Sequence, residues 1–231
     1  MSLLSAQDQE HIRHHFEALT SPVRIVVFTD SRDCQYCDET HQIVEEVAEL
    51  SPKITAEYHD LRAEPELAAL YSVDRAPAIA ILRDSPNGDA PKDYGIRYFG
   101  IPSGYEFSSL LEDAVMVSTG ETELSAATRS WLETLDRPIH LQVFVTPTCP
   151  YCPQMVRLAH RMALASDYVR ADMVEAMEFP ELSERYGVYG VPRTVINEDR
   201  HIEGAVPESR LVAEMMKAVV SEPKNWIRRT R

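Results

Sequence analysis

Apolar residues recur along this chain in two rhythms, and the rhythms alternate in a fixed order. Ile12, Phe16 and Leu19 repeat at helical spacing behind Ser5-Ala6-Gln7-Asp8, a capping-box signature with Leu4 placed to staple it. Residues 23–29 are apolar and β-branched, the composition of a buried strand. Ile43, Val44, Val47 and Leu50 then mark a helix that Ser51-Pro52 ends, residues 54–59 a strand, and 65–71 a short helix opened by Pro65. Residues 78–83 and 94–99 read as strands joined by the turn-rich 84–89. Ser103-Gly104-Tyr105-Glu106 reads as a second capping box, before a helix with Phe107, Leu110, Leu111, Ala114 and Val115 inward.

The same order then returns. Leu124, Ala127, Trp131, Leu132 and Leu135 form a helix stripe, 139–145 a strand, and Met155, Val156, Ala159, Met162 and Ala163 a helix. A strand at 169–174, a short helix at 180–186, a hairpin at 194–197 with 201–203, and a helix carrying Leu211, Val212, Met215, Met216 and Val219 complete the round. Cys34 and Cys149 lie 115 positions apart, and Pro77 and Pro192 keep that offset, as do Pro65-Glu66-Leu67 with Pro180-Glu181-Leu182, Tyr71 with Tyr186, and Val73 with Val188. A fixed offset over so many positions marks a doubled unit. The expected fold class is α/β, two tandem homologous units, each a central mixed β-sheet flanked by helices. The first spans 1–118 with Cys34 and Cys37, and the second 119–231 with Cys149 and Cys152.

Composition narrows the function. The 231 residues carry a net charge of −14, which disfavours nucleic acid and anionic membranes as partners. Up to Val117 there are 9 Lys and Arg against 21 Asp and Glu, and beyond it 14 against 16, so the halves are electrostatically unlike. No stretch approaches 18 consecutive apolar residues, and the first residues lack a basic and then apolar leader, so the expected location is cytoplasmic. All four cysteines fall in two Cys-x-x-Cys pairs, and a reducing compartment favours catalysis or metal binding over structural staples.

Each pair stands where a strand hands over to a helix, the setting of a redox dithiol. The first cysteine is then expected at a helix N-terminus, where free N–H groups favour a thiolate, with Pro150 fitting the first turn. The second cysteine, three residues on, can attack a mixed disulfide and release reduced substrate. Pro77 and Pro192 precede strands, where proline is unwelcome unless specially placed. A cis proline facing each dithiol would let Ala76 and Val191 offer backbone groups to an extended substrate. Tyr36 and Tyr151 occupy matching places, where each would cover its dithiol or simply stand exposed. The expected catalytic residues are therefore Cys149, Cys152, Cys34 and Cys37, and the substrate-binding residues Val191, Pro192, Ala76, Pro77, Tyr151 and Tyr36. Arg157, His160, Arg161 and Arg193 near Cys149, against Asp33, Asp38 and Glu39 near Cys34, predict that Cys149 is the more acidic thiol. Met155, Met162, Met173 and Met177 are expected to fill core space. His11 and His15 read as a solvated helix face, and the short basic tail 225–231 suggests no function.

Asp33-Cys34-Gln35-Tyr36-Cys37-Asp38, the run from Gly95 to Phe107, Thr146-Pro147-Thr148-Cys149-Pro150-Tyr151-Cys152-Pro153 and Tyr186-Gly187-Val188-Tyr189-Gly190-Val191-Pro192 resemble the glutaredoxin-like protein disulfide oxidoreductases of archaea and thermophilic bacteria. That resemblance covers nearly the whole chain. It implies two tandem thioredoxin folds and cytosolic exchange with protein disulfides and dithiols. It also implies no cofactor beyond the redox-active disulfides, and reduction by a flavoprotein of the thioredoxin reductase type. In that family both sites are redox-capable and the second is the main one. The sequence departs from glutaredoxins after Gly204, where Ala205-Val206-Pro207 replaces their glutathione-binding Gly-Gly-x-Asp. It departs from thioredoxins at Val143, where they carry a buried acid. Three other readings stand beside this one: a dedicated electron donor to a peroxiredoxin, a non-catalytic zinc-binding or scaffold protein with a Cys₄ site, and a peptide-binding chaperone with incidental dithiols.

Overall fold

The computed structural model describes residues 2–85 and 87–221. The chain opens with α1 (Ala6–His15), whose capping box forms as expected: the Ser5 hydroxyl accepts from the Asp8 N–H and the Asp8 carboxylate accepts from the Ser5 N–H. A 3₁₀ turn, Phe16–Ala18, leads into β1 (Val23–Thr29). There follow α2 (Cys37–Ala48), β2 (Ile54–Asp60), α3 (Pro65–Leu70), β3 (Ala78–Arg83), β4 (Lys92–Phe99) and α4 (Glu106–Thr119). Gly120, in the left-handed conformation, ends α4. After α5 (Ala126–Leu132) the plan repeats as β5 (Ile139–Val145), α6 (Cys152–Ala165), β6 (Val169–Glu175), α7 (Pro180–Arg185), β7 (Arg193–Ile196), β8 (Arg200–Glu203) and α8 (Glu208–Ser221). The tail 225–231 lies outside the described residues.

The strands form one mixed sheet of eight in the order β2-β1-β3-β4-β6-β5-β7-β8. Its halves are copies. In each, the first strand pairs parallel with the second and antiparallel with the third, which pairs antiparallel with the fourth. The halves join head to tail through parallel pairing of Ile96–Phe99 with Ala171–Val174. Side-chain chemistry explains why β6 becomes an inner strand while its counterpart β2 stays an edge. Val-Arg-Ala-Asp-Met-Val-Glu is buried at six of seven positions, whereas Ile-Thr-Ala-Glu-Tyr-His-Asp is buried only at Ile54. A polar, half-exposed strand protects the free edge, and an apolar one needs a neighbour on each side.

Alternation along the strands divides the core between the two faces of the sheet. Ile25 and Val27 of β1, with Leu141 and Val143 of β5, face a layer that also holds Val44, Leu110, Val156 and Met162 from the helices and runs without a break across both halves. Val26, Phe28, Phe144 and Val174 face the other side, under α3 and α7. Met155, Met162 and Met173 are buried as expected. Met177 is not: it follows the end of β6 and is 76 % exposed, a correction whose reason is that the sheet has already ended there.

A second correction concerns α4. No capping box forms at Ser103: the helix has no side-chain cap, and Glu106 turns inward, 1 % exposed, to accept from the Ser109 hydroxyl at 2.7 Å. The preceding segment is committed elsewhere. The Tyr105 N–H donates to the Pro147 carbonyl, 3.0 Å away, and Gly104 adopts φ +60°, where a Cβ would overlap that same carbonyl. The loop 100–105 of the first half therefore lies against the segment that leads to Cys149. It starts from the first site, since the Gly100 N–H donates to the Pro77 carbonyl at 2.9 Å.

Candidate functional site

Both dithiols stand at the C-terminal end of a central strand, and both pairs are disulfide-bonded, Cys34 with Cys37 and Cys149 with Cys152, with Cα atoms 5.5 Å apart in each. The helices begin at the second cysteine of each pair. The first cysteine occupies the turn before the helix, so the expected placement moves by three residues, and Pro153 rather than Pro150 takes the first turn of α6. The Cys152 N–H donates to the Cys149 carbonyl and the Cys149 N–H to that of Thr146, a turn that holds the outer sulfur in front of the helix N-terminus. Cys152 is fully buried and Cys149 is 8 % exposed, the difference needed between a sulfur met by substrate and one that resolves behind it.

Ala76-Pro77 and Val191-Pro192 are both cis. Sheet register carries each to its own dithiol. Phe144 pairs with Arg193, the residue after Pro192, while Val145 pairs with Glu175. Phe28 pairs with Ala78 and Thr29 with Asp60 in the same way. Among the described residues the backbone N–H and C=O of Ala76 and Val191 have no partner, so each keeps a strand edge open beside the sulfurs. Tyr151 stands out from its site, 67 % exposed, whereas Tyr36 is half-buried and accepts from the Gln35 amide at 3.2 Å.

Charge around the second site differs from the sequence expectation. Each cation near Cys149 is already held by a carboxylate: Arg157 by Glu112, Arg161 by Glu123, Arg193 by Glu203. His160 is buried against Asp113. These groups cannot act as free positive charge on the thiol, and the premise that Cys149 is acidified by them falls. The acids come from α4 (Glu112 and Asp113), the segment after it (Glu123) and β8 (Glu203), a gathering invisible in sequence.

The residues that sequence reasoning missed lie in that contact. Glu112 meets Arg157, Asp113 meets both His160 and the Tyr98 hydroxyl, and Tyr105 meets Pro147. The contacts run in the same order along both helices, so α4 and α6 lie parallel, and Glu106 is close enough to His160 and Arg157 for their charges to act on its carboxyl. Burial pushes the Glu106 carboxyl up to about 7; Asp113 adds to this, while the Ser109 hydroxyl, His160 and Arg157 pull against it. Glu106 Oε1 and His160 Nε2 are buried without hydrogen-bond partners among the described residues. The signal was present in the helical stripe Glu106, Leu110, Asp113, Val117, which puts two acids on the buried face.

The first site has a different acid. Asp30 donates its backbone N–H to the Cys37 sulfur at 3.4 Å, but its carboxylate is paired with Arg62 at 2.8 Å. The Arg62 guanidinium, with the Arg32 N–H, holds that carboxyl below its usual range. Asp30 is thus fixed as an anion, but Glu178, which accepts from the Ile101 N–H next to the Gly100–Pro77 contact, is pushed up by burial to about 7, as Glu106 is. No cluster of potential metal ligands occurs among the described residues, and the two cysteine pairs are sequestered in separate disulfides, which is not the arrangement of a Cys₄ zinc site.

Comparison with known proteins agrees with this geometry. Residues 139–217 match the model of a thioredoxin domain family. Over 94 % of its length the chain superimposes on 94 % of a protein disulfide oxidoreductase from Aeropyrum pernix, with a TM-score of 0.85 and 26 % identity. The chain is thioredoxin-like in fold, and its second half matches a thioredoxin domain. Another thioredoxin-like structure, from the alkylhydroperoxide reductase AhpF of Enterococcus faecalis, matches 92 % of this chain with 99 % of its own at a TM-score of 0.83 and 28 % identity. The F subunit of alkyl hydroperoxide reductase from Staphylococcus epidermidis is 25 % identical over 195 residues, and that from Pseudomonas putida 25 % over 199. The chain spans about a third of the length of these curated relatives. Two Cys-x-x-Cys pairs on this fold are thiol–disulfide oxidoreductase chemistry, and no described helix is long and apolar enough to cross a membrane.

Proposed function

We propose that this chain exchanges disulfides with protein substrates and that Cys149–Cys152 is its main working site. The observation that carries the assignment is the fully buried Cys152 behind Cys149 at the head of α6, beside the unpartnered Val191 backbone and the exposed Tyr151. Cys149 thiolate attacks one sulfur of a substrate disulfide, so that a new S–S bond forms and the substrate's own bond breaks, releasing a substrate thiolate. Glu106 takes the proton from the Cys152 thiol, and Cys152 attacks the Cys149 sulfur. The second substrate thiolate leaves, two electrons have passed to the substrate, and the chain is left with the Cys149–Cys152 disulfide seen here. The proton returns from Glu106 to the leaving thiolate. Throughout, Val191 holds the substrate segment along its open edge. The Cys34–Cys37 pair exchanges more slowly, with Ala76, Pro77 and Tyr36 in the matching roles. The two units, 1–118 and 119–231, each carry one site, and a flavoprotein of the thioredoxin reductase type returns the electrons.

Replacing Cys149 by serine should abolish most reduction of insulin disulfides, and replacing Cys34 should cost less. The opposite order would reverse the roles of the sites. A second reading is favoured by one observation: most of this chain aligns with a third of the F subunit of alkyl hydroperoxide reductase. On that reading the physiological acceptor is a peroxiredoxin disulfide. Reconstitution with a peroxiredoxin and a hydroperoxide tests it, and peroxide turnover no faster than without the chain would remove it.

A further inference from the structure

The internal duplication makes each dithiol a control for the other, because the dithiol loops, the segments after β2 and β6 and the loops before the cis prolines each have a counterpart 115 positions away around the twin. Two residues past the end of its strand, β6 carries Met177 where β2 carries Arg62. Three residues before the cis proline, the second half carries Tyr189 where the first carries Asp74. Thr148 and Pro153 stand where Asp33 and Asp38 stand. Tyr151 is 67 % exposed, Met177 76 % and Tyr189 98 %, while their counterparts are a half-buried tyrosine and two charged residues engaged in ion pairs. Tyr105 joins the same side of the molecule, fixed there by its N–H to Pro147 and 52 % exposed.

Large apolar side chains left in water around one site and absent from its twin need an occupant, since burying such a side chain is worth about 1.5–3 kcal/mol. Charge says what kind. The cations near Cys149 are engaged by Glu112, Glu123 and Glu203, and Thr148 and Pro153 flank its dithiol, whereas Asp33 and Asp38 flank the other and form no ion pair among the described residues. The unpartnered Val191 backbone calls for an extended strand. We infer that Met177 and Tyr189, with Tyr151 and Tyr105, form a docking rim that makes Cys149–Cys152 selective for disulfides set in extended, uncharged segments with aliphatic or aromatic flanks, and that Cys34–Cys37 lacks this selectivity. The inference rests on Cys149–Cys152 being a working site.

The test uses the full chain with Cys34 and Cys37 both replaced by serine, pre-reduced and followed through a single turnover. Two disulfide-linked peptides serve as substrates, alike except for flanks of Leu and Phe in one and Ser and Gly in the other. The second-order rate constant should favour the apolar peptide by about tenfold, the ratio expected from ~1.4 kcal/mol of added burial. Met177→Arg together with Tyr189→Asp, which installs the other site's residues, should bring that ratio to about one. The reciprocal chain, with Cys149 and Cys152 replaced, should show a ratio of about one without further change. Equal rates for both peptides in the first chain, or a ratio that survives the double substitution, would overturn the rim. Reaction with neither peptide would overturn instead the assignment of Cys149–Cys152. Because each ratio is internal to one protein, a partly destabilised variant still discriminates between these outcomes.

Discussion

Replacing Glu106 by glutamine keeps the size of the side chain and its bond to Ser109 but removes its titration. In the native protein burial holds the Glu106 carboxyl at about 7 against an ordinary value of 4.5. Below pH 4.5 the folded and unfolded chains both carry the proton, and stability is undiminished by this group. Between 4.5 and about 7 the unfolded chain releases the proton while the folded one retains it, so stability falls as pH rises and is lost fully above the folded value. At about 1.4 kcal/mol per pH unit, the whole span amounts to roughly 3 kcal/mol. Urea denaturation of the oxidised protein, taken at intervals from pH 4 to 8.5, should therefore show Glu106→Gln gaining on the native protein by up to ~3 kcal/mol as the medium turns alkaline, with the two closest at the acid end. The same variant should resolve mixed disulfides more slowly, because Cys152 then has no internal proton acceptor. Parallel stability curves across the whole range would refute the reasoning, since they would mean that Glu106 ionises in the fold as freely as in water.

Three further outcomes follow from the same contacts. Gly104→Ala forces a side chain onto the Pro147 carbonyl at φ +60°, and should lower stability by about 2 kcal/mol or more in urea titrations, with slower attack by Cys149 because the segment before it must shift. Asp113→Asn weakens the buried acceptor shared by Tyr98 and His160 and should cost roughly 2–4 kcal/mol by the same measurement. Arg62→Ala removes the partner that holds Asp30 down, so the Asp30 carboxyl should titrate at a higher pH when followed by carbon NMR; no movement would assign its low value to the Arg32 N–H alone.

Much of the fold was legible because duplication let each half check the other. The Cys-x-x-Cys pairs, the prolines 43 residues downstream and the alternation of strand and helix repeat at one offset, and the structure turns both prolines to the cis form beside their own dithiols. What the sequence hid was the junction. Nothing in Val169–Glu175 names Ile96–Phe99 as its partner, because a strand's pattern records that it is buried but not by what. The same gap concealed the burial of Glu106. Glu106 follows Ser103 at capping-box spacing, a local rule that lost to the tertiary demands of Gly104 and Tyr105 on Pro147. Arg157 and Arg161 were visible as cations near Cys149, and only the packing of α4 and the segment after it on α6 reveals that they are already spoken for.

Because β4 of one copy is the neighbour of β6 in the other, and one apolar layer runs beneath both, neither copy owns a complete structure. Cutting the chain in the connection around Gly120 would strip β6 of a neighbour along an apolar strand and open Tyr98, Asp113 and His160 to solvent together. Heat should therefore melt the two copies as one body, in a single calorimetric peak, although each carries its own dithiol. Duplication here has multiplied the active sites while leaving a single thing to unfold.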